Sequence, residues 1–428
     1  MESKLSKYEN IINFSIFGKN NSGKCSLNKA INLYVKDLSH PKDFIYNNTK
    51  YHIFPIPCCG GDLKDNFDIS IKNSDFIIIT IDSKDINSIN NDINYYSHLI
   101  LLSIINDIKK IIFVVTKKNT MNSENLDKVK LFINNIYEKI KNKFKDFHHT
   151  LLMDYGMVDS LEGDGIEDLL NKFPNINDIN KNENKDNINN NDNAIIGLYD
   201  KYFDKEREEF VITCKINNCM NNEKNISVNE TLLNIYYIDN ENLVLKKIEK
   251  IIPFKLSLSD GEYINKLNII NNQFISLKFK LNLIDNQFMI NPYKNIFLSF
   301  KENNENICFF DTFESDIIIT SLLNDDELKE KTFTVITKGC TSLFSSYNID
   351  IECNIINIIG EYENENNNLV KKKIINCKNG IYAKILINLK KPILATKYDF
   401  CNKFGSFKLI KSGLTFAVGK INKYKPKK

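Results

Sequence analysis

No charge of one sign dominates this chain. In its 428 residues 57 basic side chains stand against 54 acidic ones, a net charge of +3, so no overall field draws the molecule to nucleic acid. Any contact with RNA must come from local patches. The segment "KINKYKPKK" (420–428) is one, although a solvated basic terminus has the same composition. Tryptophan is absent, and the skew toward Asn, Ile and Lys resembles AT-rich coding sequence. There is no run near the ~20 apolar residues of a membrane span, and "MESKLSKYENIINF" lacks the apolar core of a secretory leader. A cytoplasmic protein with no membrane partner is expected. Ten cysteines occur without a CxxC pair or a matching His cluster, which argues for buried thiols over zinc. His148 and His149 have no nucleophile elbow near them and read as surface or turn residues. The aromatic and Lys-rich run "FISLKFKLNL" reads as a half-buried strand before it reads as an RNA contact.

The length suggests two or three domains. From Ile11 to about Pro174, the apolar runs "IINFSIF", "YHIFPI", "FIIITID", "KIIFVVT" and "TLLMDY" alternate with amphipathic segments at helical spacing. This is the pattern of an α/β domain with a buried parallel sheet. An Asn-rich stretch, "NINDINKNENKDNINNNDN", then buries too little apolar area to order itself and reads as a linker over 175–200. Beyond it come short strand-like runs between polar turns, the signature of two antiparallel β-barrels. The polar "LLNDDELKEK" suggests a boundary between 201–327 and 328–428, with residues 1–174 forming the first domain.

Directly after the first strand, Gly18, Gly23 and Lys24 spell G-x-x-x-x-G-K. In such a loop glycines let backbone amides curl around phosphates and the lysine reaches the β and γ oxygens. Gly18, Asn20, Asn21, Ser22, Gly23, Lys24, Cys25 and Ser26 are the candidate nucleotide contacts here. Cys25 stands where a Mg²⁺-binding hydroxyl is expected. A soft thiol is a poor ligand for a hard cation, and Ser26 lies about 100° further round the helix.

The order of a phosphate loop, a P-loop domain and two barrels resembles the translational GTPases of the elongation factor 1-alpha, class-II release factor and Hbs-type rescue group. "GKNNSGKCS" is similar to that family's first motif. "FGSFKLIKSGLTFAVGKI" is similar to its closing strand pair, with Gly405, Gly413, Thr415, Ala417, Gly419 and Ile421 in register, and "NCKNGIYAKILINLKKPI" and "FTVITKG" also match. The resemblance implies an elongation factor Tu-like three-domain architecture and GTP or GDP as ligand. The implied partners are the ribosome and a tRNA-shaped protein (pelota-type or a class-I release factor) or aminoacyl-tRNA, bound by a monomer.

It also exposes departures. "PCCGG" (57–61) stands for D-x-P-G-H, keeping only Gly60. "TKKN" (116–119) stands for N-K-x-D, so Lys117 keeps the packing role over the base while Asn119 replaces the guanine-reading Asp. Tyr155 and Gly156 stand for S-[AG], and Thr49 lies too near its strand to be the usual magnesium-binding threonine. No catalytic residue and no metal ligand is assigned. The expectation is a factor with weakened GTP binding, doubtful Mg²⁺ and lapsed hydrolysis. An active GTPase and a nucleotide-independent scaffold linking ribosome to RNA decay are the alternatives.

Overall fold

The computed structural model describes residues 11–35, 43–47, 49–53, 70–106, 108–117, 123–143, 151–175, 178, 195–204, 209–217, 225–239, 243–253, 255–258, 263–268, 274–280, 296–299, 305–319, 335–347, 349–362, 369–370, 376–378, 382–411 and 414–425. Structural statements below concern these residues.

The first domain is an α/β layer. Strands β1 (Ile11–Gly18), β2 (Asp43–Tyr46), β3 (Thr49–Ile53), β4 (Phe76–Asp82), β5 (Lys110–Thr116) and β6 (Leu152–Val158) form one sheet in the order β2-β3-β1-β4-β5-β6. All neighbours are parallel except the β2–β3 hairpin. Helices α1 (Lys24–Val35), α2 (Ile93–Ile105), α3 (Ser123–Lys143) and α4 (Ile166–Leu170) accompany it. Every residue of β4 is buried. Phe76 and Ile78 face a core with Phe14, Leu27 and Ile31, while Ile77, Ile79 and Ile81 face a second core with Leu99, Val129 and Ile133. A strand covered on both faces is apolar at every position, which is why "FIIITID" shows no alternation.

The middle domain carries β7 (Ile195–Asp204), β8 (Glu209–Asn217), β9 (Asn225–Ser227), β10 (Leu233–Asp239), β11 (Val244–Ile251), β12 (Lys255–Leu258), β13 (Tyr263–Ile264), β14 (Lys266–Asn268), β15 (Phe274–Lys280) and β16 (Phe297–Ser299). Eight of these form a sheet in the order β11-β10-β16-β7-β8-β15-β12-β13, and β14 pairs with β9. On β15 the residues Ile275, Leu277 and Phe279 point into the core, and Lys278 on the other face is bound to Glu209. "FISLKFK" is thus a half-buried strand whose lysine has an internal partner.

The last domain contains β17 (Cys308–Ile319), β18 (Val335–Thr337), β19 (Thr341–Ser346), β20 (Ile349–Tyr362), β21 (Leu369–Val370), β22 (Asn376–Lys378), β23 (Tyr382–Ala395), β24 (Ser406–Lys411) and β25 (Leu414–Tyr424). The order β19-β24-β25-β17-β23-β20, closed by β19 pairing with β20, makes a six-stranded barrel.

Two expected boundaries need correction. Strand β7 begins at Ile195, inside the stretch read as linker. Strand β17 lies between β23 and β25, so the last barrel starts before the expected boundary at 327/328. Composition marks polar segments, but it does not say which sheet the flanking strand joins, because barrel pairing is non-local.

Candidate phosphate-binding site

Strand β1 ends at Gly18 and α1 begins at Lys24, so the glycine-rich turn sits at the carboxyl end of the parallel sheet. That is where open α/β sheets present ligand sites. Two threonines hold the turn in shape. A Cβ on Gly18, whose φ is +155°, would overlap the hydroxyls of Thr80 and Ser22 and lie 2.7 Å from the Thr80 carbonyl oxygen. The Thr80 hydroxyl donates to the Phe17 carbonyl at 3.1 Å, leaving Ser22 to donate to Thr80 at 2.6 Å. A Cβ on Gly23, at φ +85°, would meet the Thr116 side chain at 3.1 Å. The Thr116 hydroxyl donates to the Ser22 carbonyl at 2.9 Å. Thr80, on β4, escaped the sequence analysis because it belongs to none of the motifs; Thr116, closing β5, is the first residue of "TKKN" but was given no role there.

The remaining residues fall where a phosphate cradle needs them. The Ser22 amide donates to the Lys19 carbonyl at 3.2 Å to close the turn, with Asn21 in the left-handed region at φ +65°, a conformation asparagine tolerates. Asn20 and Asn21 are exposed at the tip. Lys24 is buried, and its ammonium donates to the carbonyls of Gly18 at 2.8 Å and Lys19 at 2.6 Å. Cys25 lies half-buried in the first turn of α1, and Ser26 is exposed. The loop therefore combines glycine-shaped backbone, a helix start and a buried ammonium, which suit an anion.

At the adjoining strand ends, Lys117 follows β5 with φ +63° and is ion-paired with Asp82 at the end of β4. Asp82 also accepts from the Lys84 amide at 3.0 Å. Burial pushes the Asp82 carboxyl upward, but the hydrogen bonds from Lys117 and the Lys84 amide outweigh it and hold the carboxyl below its usual value. Gly60 and Asn119, like His148 and His149, lie outside the described residues.

Tyr155 and Gly156 are not at the position assigned to them. Both lie inside β6, opposite Phe113 and Val114. The Tyr155 ring stacks on Phe113 with centroids 5.6 Å apart, and its hydroxyl donates to Asn134 Oδ1 at 2.7 Å. The turn that follows β6 is 159–165. There the Asp159 carboxylate accepts the amides of Leu161 at 2.9 Å and Glu162 at 3.2 Å, and the Ser160 hydroxyl is buried without a hydrogen-bond partner. This turn, three residues further on, is the one beside Lys117. The strand runs past "TLLMDY", through Gly156, because Val114, Val115 and Thr116 of β5 pair with Gly156, Met157 and Val158.

Among the described residues the side chain at the hydroxyl position is a thiol, a soft ligand, Asp82 is engaged by Lys117, and no three His, Cys, Asp or Glu groups gather. Four of the described thiols, Cys214, Cys308, Cys353 and Cys401, are buried, and burial raises the pKa of each.

Residues 330–422 match the GTP-eEF1A C-terminal domain-like family. The match covers most of the last domain and none of the first two. In fold the chain is similar to the elongation factor SelB from Methanococcus maripaludis. In its apo form the TM-score is 0.62 at 15% identity, over 98% of this chain and 80% of that one. In complex with the GTP analogue GppNHp the TM-score is 0.63 at 16% identity, over the same shares. A bacterial selenocysteine-specific elongation factor, EF-Sec, has a TM-score of 0.55 at 16% identity, over 96% of this chain and 58% of that one. At such identities the likeness is one of fold. No curated protein matches the chain in sequence.

Proposed function

We propose that this protein is a translational GTPase-like factor that keeps a phosphate cradle, binds GTP or GDP weakly and without need of magnesium, and has lost hydrolysis. One observation carries the reading: the turn from Gly18 to Lys24 is fully built and locked by Thr80 and Thr116, yet its rim presents the Cys25 thiol. Phosphoryl transfer depends on positioned charge and metal, so a cradle without a hard-cation ligand binds phosphate better than it cleaves it. The SelB relative with a bound GTP analogue supports a nucleotide as ligand. The factor acts in the cytoplasm, as a monomer beside the ribosome, with its barrels docking aminoacyl-tRNA or a tRNA-shaped protein such as a pelota-type or class-I release factor, in elongation, termination or rescue.

The test is titration of the purified chain with labelled GTP, GDP, ATP and XTP, with and without Mg²⁺. Weak, metal-indifferent binding is expected, with little preference for guanine because of Asn119. Tight binding that requires Mg²⁺, together with ribosome-stimulated γ-phosphate release, would favour an active GTPase. The bonds from Lys24 to two loop carbonyls favour a second reading, a nucleotide-independent scaffold. No detectable nucleotide affinity with retained partner binding would select it.

A further inference from the structure

The phosphate loop carries two lysines in different settings. Lys24 is buried and holds the carbonyls of Gly18 at 2.8 Å and Lys19 at 2.6 Å. Lys19, the residue after the first glycine, keeps 41% of its side chain exposed, and its ammonium donates to the Asp92 carboxylate at 2.7 Å. The two are tied together, because one of the carbonyls that Lys24 holds belongs to Lys19. Asp92 lies at the same edge of the sheet as the loop. Strand β4 pairs with β1, and the 3₁₀ segment Ser83–Asp92 runs from the end of β4 at Asp82 to the start of α2. A second ammonium therefore stands beside the cradle.

Asp92 holds that ammonium loosely. The pair is partly open to water, where an ion pair contributes little. Asp92 is also the N-cap residue of α2, yet its side chain makes no capping bond. Aspartate is among the preferred acceptors for the first amides of a helix, so a carboxylate that gives up Lys19 has those amides to turn to. Lys19, on its flexible four-carbon stem, exchanges a weak partner for any stronger one. Charge says what that partner is. A nucleoside diphosphate or triphosphate brings several negative charges into the loop, and Lys24 with the α1 N-terminus, worth about half a positive charge, leaves most of them uncovered. In phosphoryl sites Mg²⁺ meets the rest, but the residue at its hydroxyl position here is Cys25, a soft ligand. A second ammonium adds a positive charge without any metal ligand, through charge-assisted hydrogen bonds to phosphate oxygens.

We propose that Lys19 is a phosphate ligand, parked on Asp92 while the loop is empty. When a di- or triphosphate enters, its ammonium leaves Asp92 for the phosphate oxygens and supplies, beside Lys24, part of the charge that binding without magnesium requires. The inference rests on the reading of residues 18–24 as a phosphate site and names a group that makes that site indifferent to Mg²⁺. Asp92 is then a competitor for Lys19 and opposes the ligand. An ion pair that merely props the loop would favour the ligand instead.

The experiment uses the full chain with Lys19→Gln, Lys19→Arg or Asp92→Asn. Lys130→Ala is the control, a lysine of similar exposure paired with Asp127 on α3. Calorimetric affinities for GDP and for inorganic tripolyphosphate are measured in chelator, so that no divalent cation contributes. Lys19→Gln should bind both probes about tenfold more weakly, and Lys19→Arg, which keeps the charge, should retain most of the affinity. Asp92→Asn should bind about threefold more tightly, because the competitor is gone. The control should not change. If Lys19→Gln binds as the wild type does, the inference is overturned. It is equally overturned if Asp92→Asn weakens binding as much as Lys19→Gln, since the pair then only props the loop. If the wild-type chain binds neither probe, the reading of residues 18–24 as a phosphate site fails, and the role of Lys19 falls with it.

Discussion

The phosphate loop and the seam between the two β domains are both shaped by a glycine pressed against a neighbour, but only the loop has side chains to spare for chemistry. At the seam, a Cβ on Gly197 would run into the Phe404 ring. That ring is wedged edge-on between Phe297 at 4.9 Å and Tyr347 at 4.8 Å, within a core that includes Ile238, Phe309 and Leu394. The ring is enclosed by aromatic and aliphatic side chains, so removing it costs stability. At the loop, Gly18 and Gly23 are shaped by Thr80 and Thr116, and Cys25 is half-buried in the first turn of α1. A frame made of backbone and buried threonines can persist after the side chains at its rim change. The departure at Cys25 is therefore compatible with an intact fold, where an equal departure at Phe404 would not be.

Breaking the seam should have the largest effect. Phe404→Ala removes the wedge and should cost about 3–5 kcal/mol, read as a lowered midpoint in urea unfolding; a loss under about 1 kcal/mol would mean the two domains do not share a core. Gly18→Ala places a methyl against Thr80 and should cost about 1–3 kcal/mol and abolish binding of inorganic tripolyphosphate. Retained binding would show that the loop's shape is not what recognises the anion.

A smaller effect is expected at an ionic contact of the middle domain. Glu209 is bound by Lys255 and Lys278, each at 3.1 Å. Burial raises its carboxyl pKa, but the two lysines outweigh that and hold it below the usual value. A depressed carboxyl contributes stability above its unfolded pKa of about 4.3 and loses it as pH falls toward the folded value. The stability gap between wild type and Glu209→Gln should therefore be constant from neutral pH down to about 5 and shrink below about 4; a gap that widens on acidification contradicts the assignment. The smallest effect on folding belongs to Cys25→Ser, within about 0.5 kcal/mol. Yet it should make GDP binding respond to Mg²⁺, which the wild-type chain is expected to ignore. An indifferent variant would place the missing metal chemistry elsewhere in the loop's surroundings.

Much of this was legible in the sequence, for physical reasons that differ by region. The central strands β1, β4 and β5 of the first domain are runs covered on both faces, so continuous apolarity such as "FIIITID" announced them. The phosphate loop was legible because glycine is the residue that satisfies its backbone, and Gly18 and Gly23 are both forced by close approach. Strand β2 went unread because four residues, "DFIY", carry too little pattern. The role of Tyr155 was misread by three residues because strand ends are set by what pairs alongside, here β5, and not by local composition. Likewise "CFFDTFESDIII", placed in the middle domain by the expected boundary at 327/328, belongs to the last one because its partners are β23 and β25.

By itself the sequence determined the class of this protein: an α/β domain with a phosphate loop, followed by antiparallel strands, with a thiol where a metal-binding hydroxyl is expected. Periodicity and glycine placement are local properties, carried by each segment wherever it packs. Only the tertiary structure decided that Thr80 and Thr116 clamp the loop, that Ser160 and not Tyr155 follows the last parallel strand, and that Tyr398 and Ser406 of the last barrel bond to the end of α2. Those contacts join residues some 60 to 300 positions apart, and side chains so distant in sequence meet only once the sheet, the helix and the barrel have closed around a shared core.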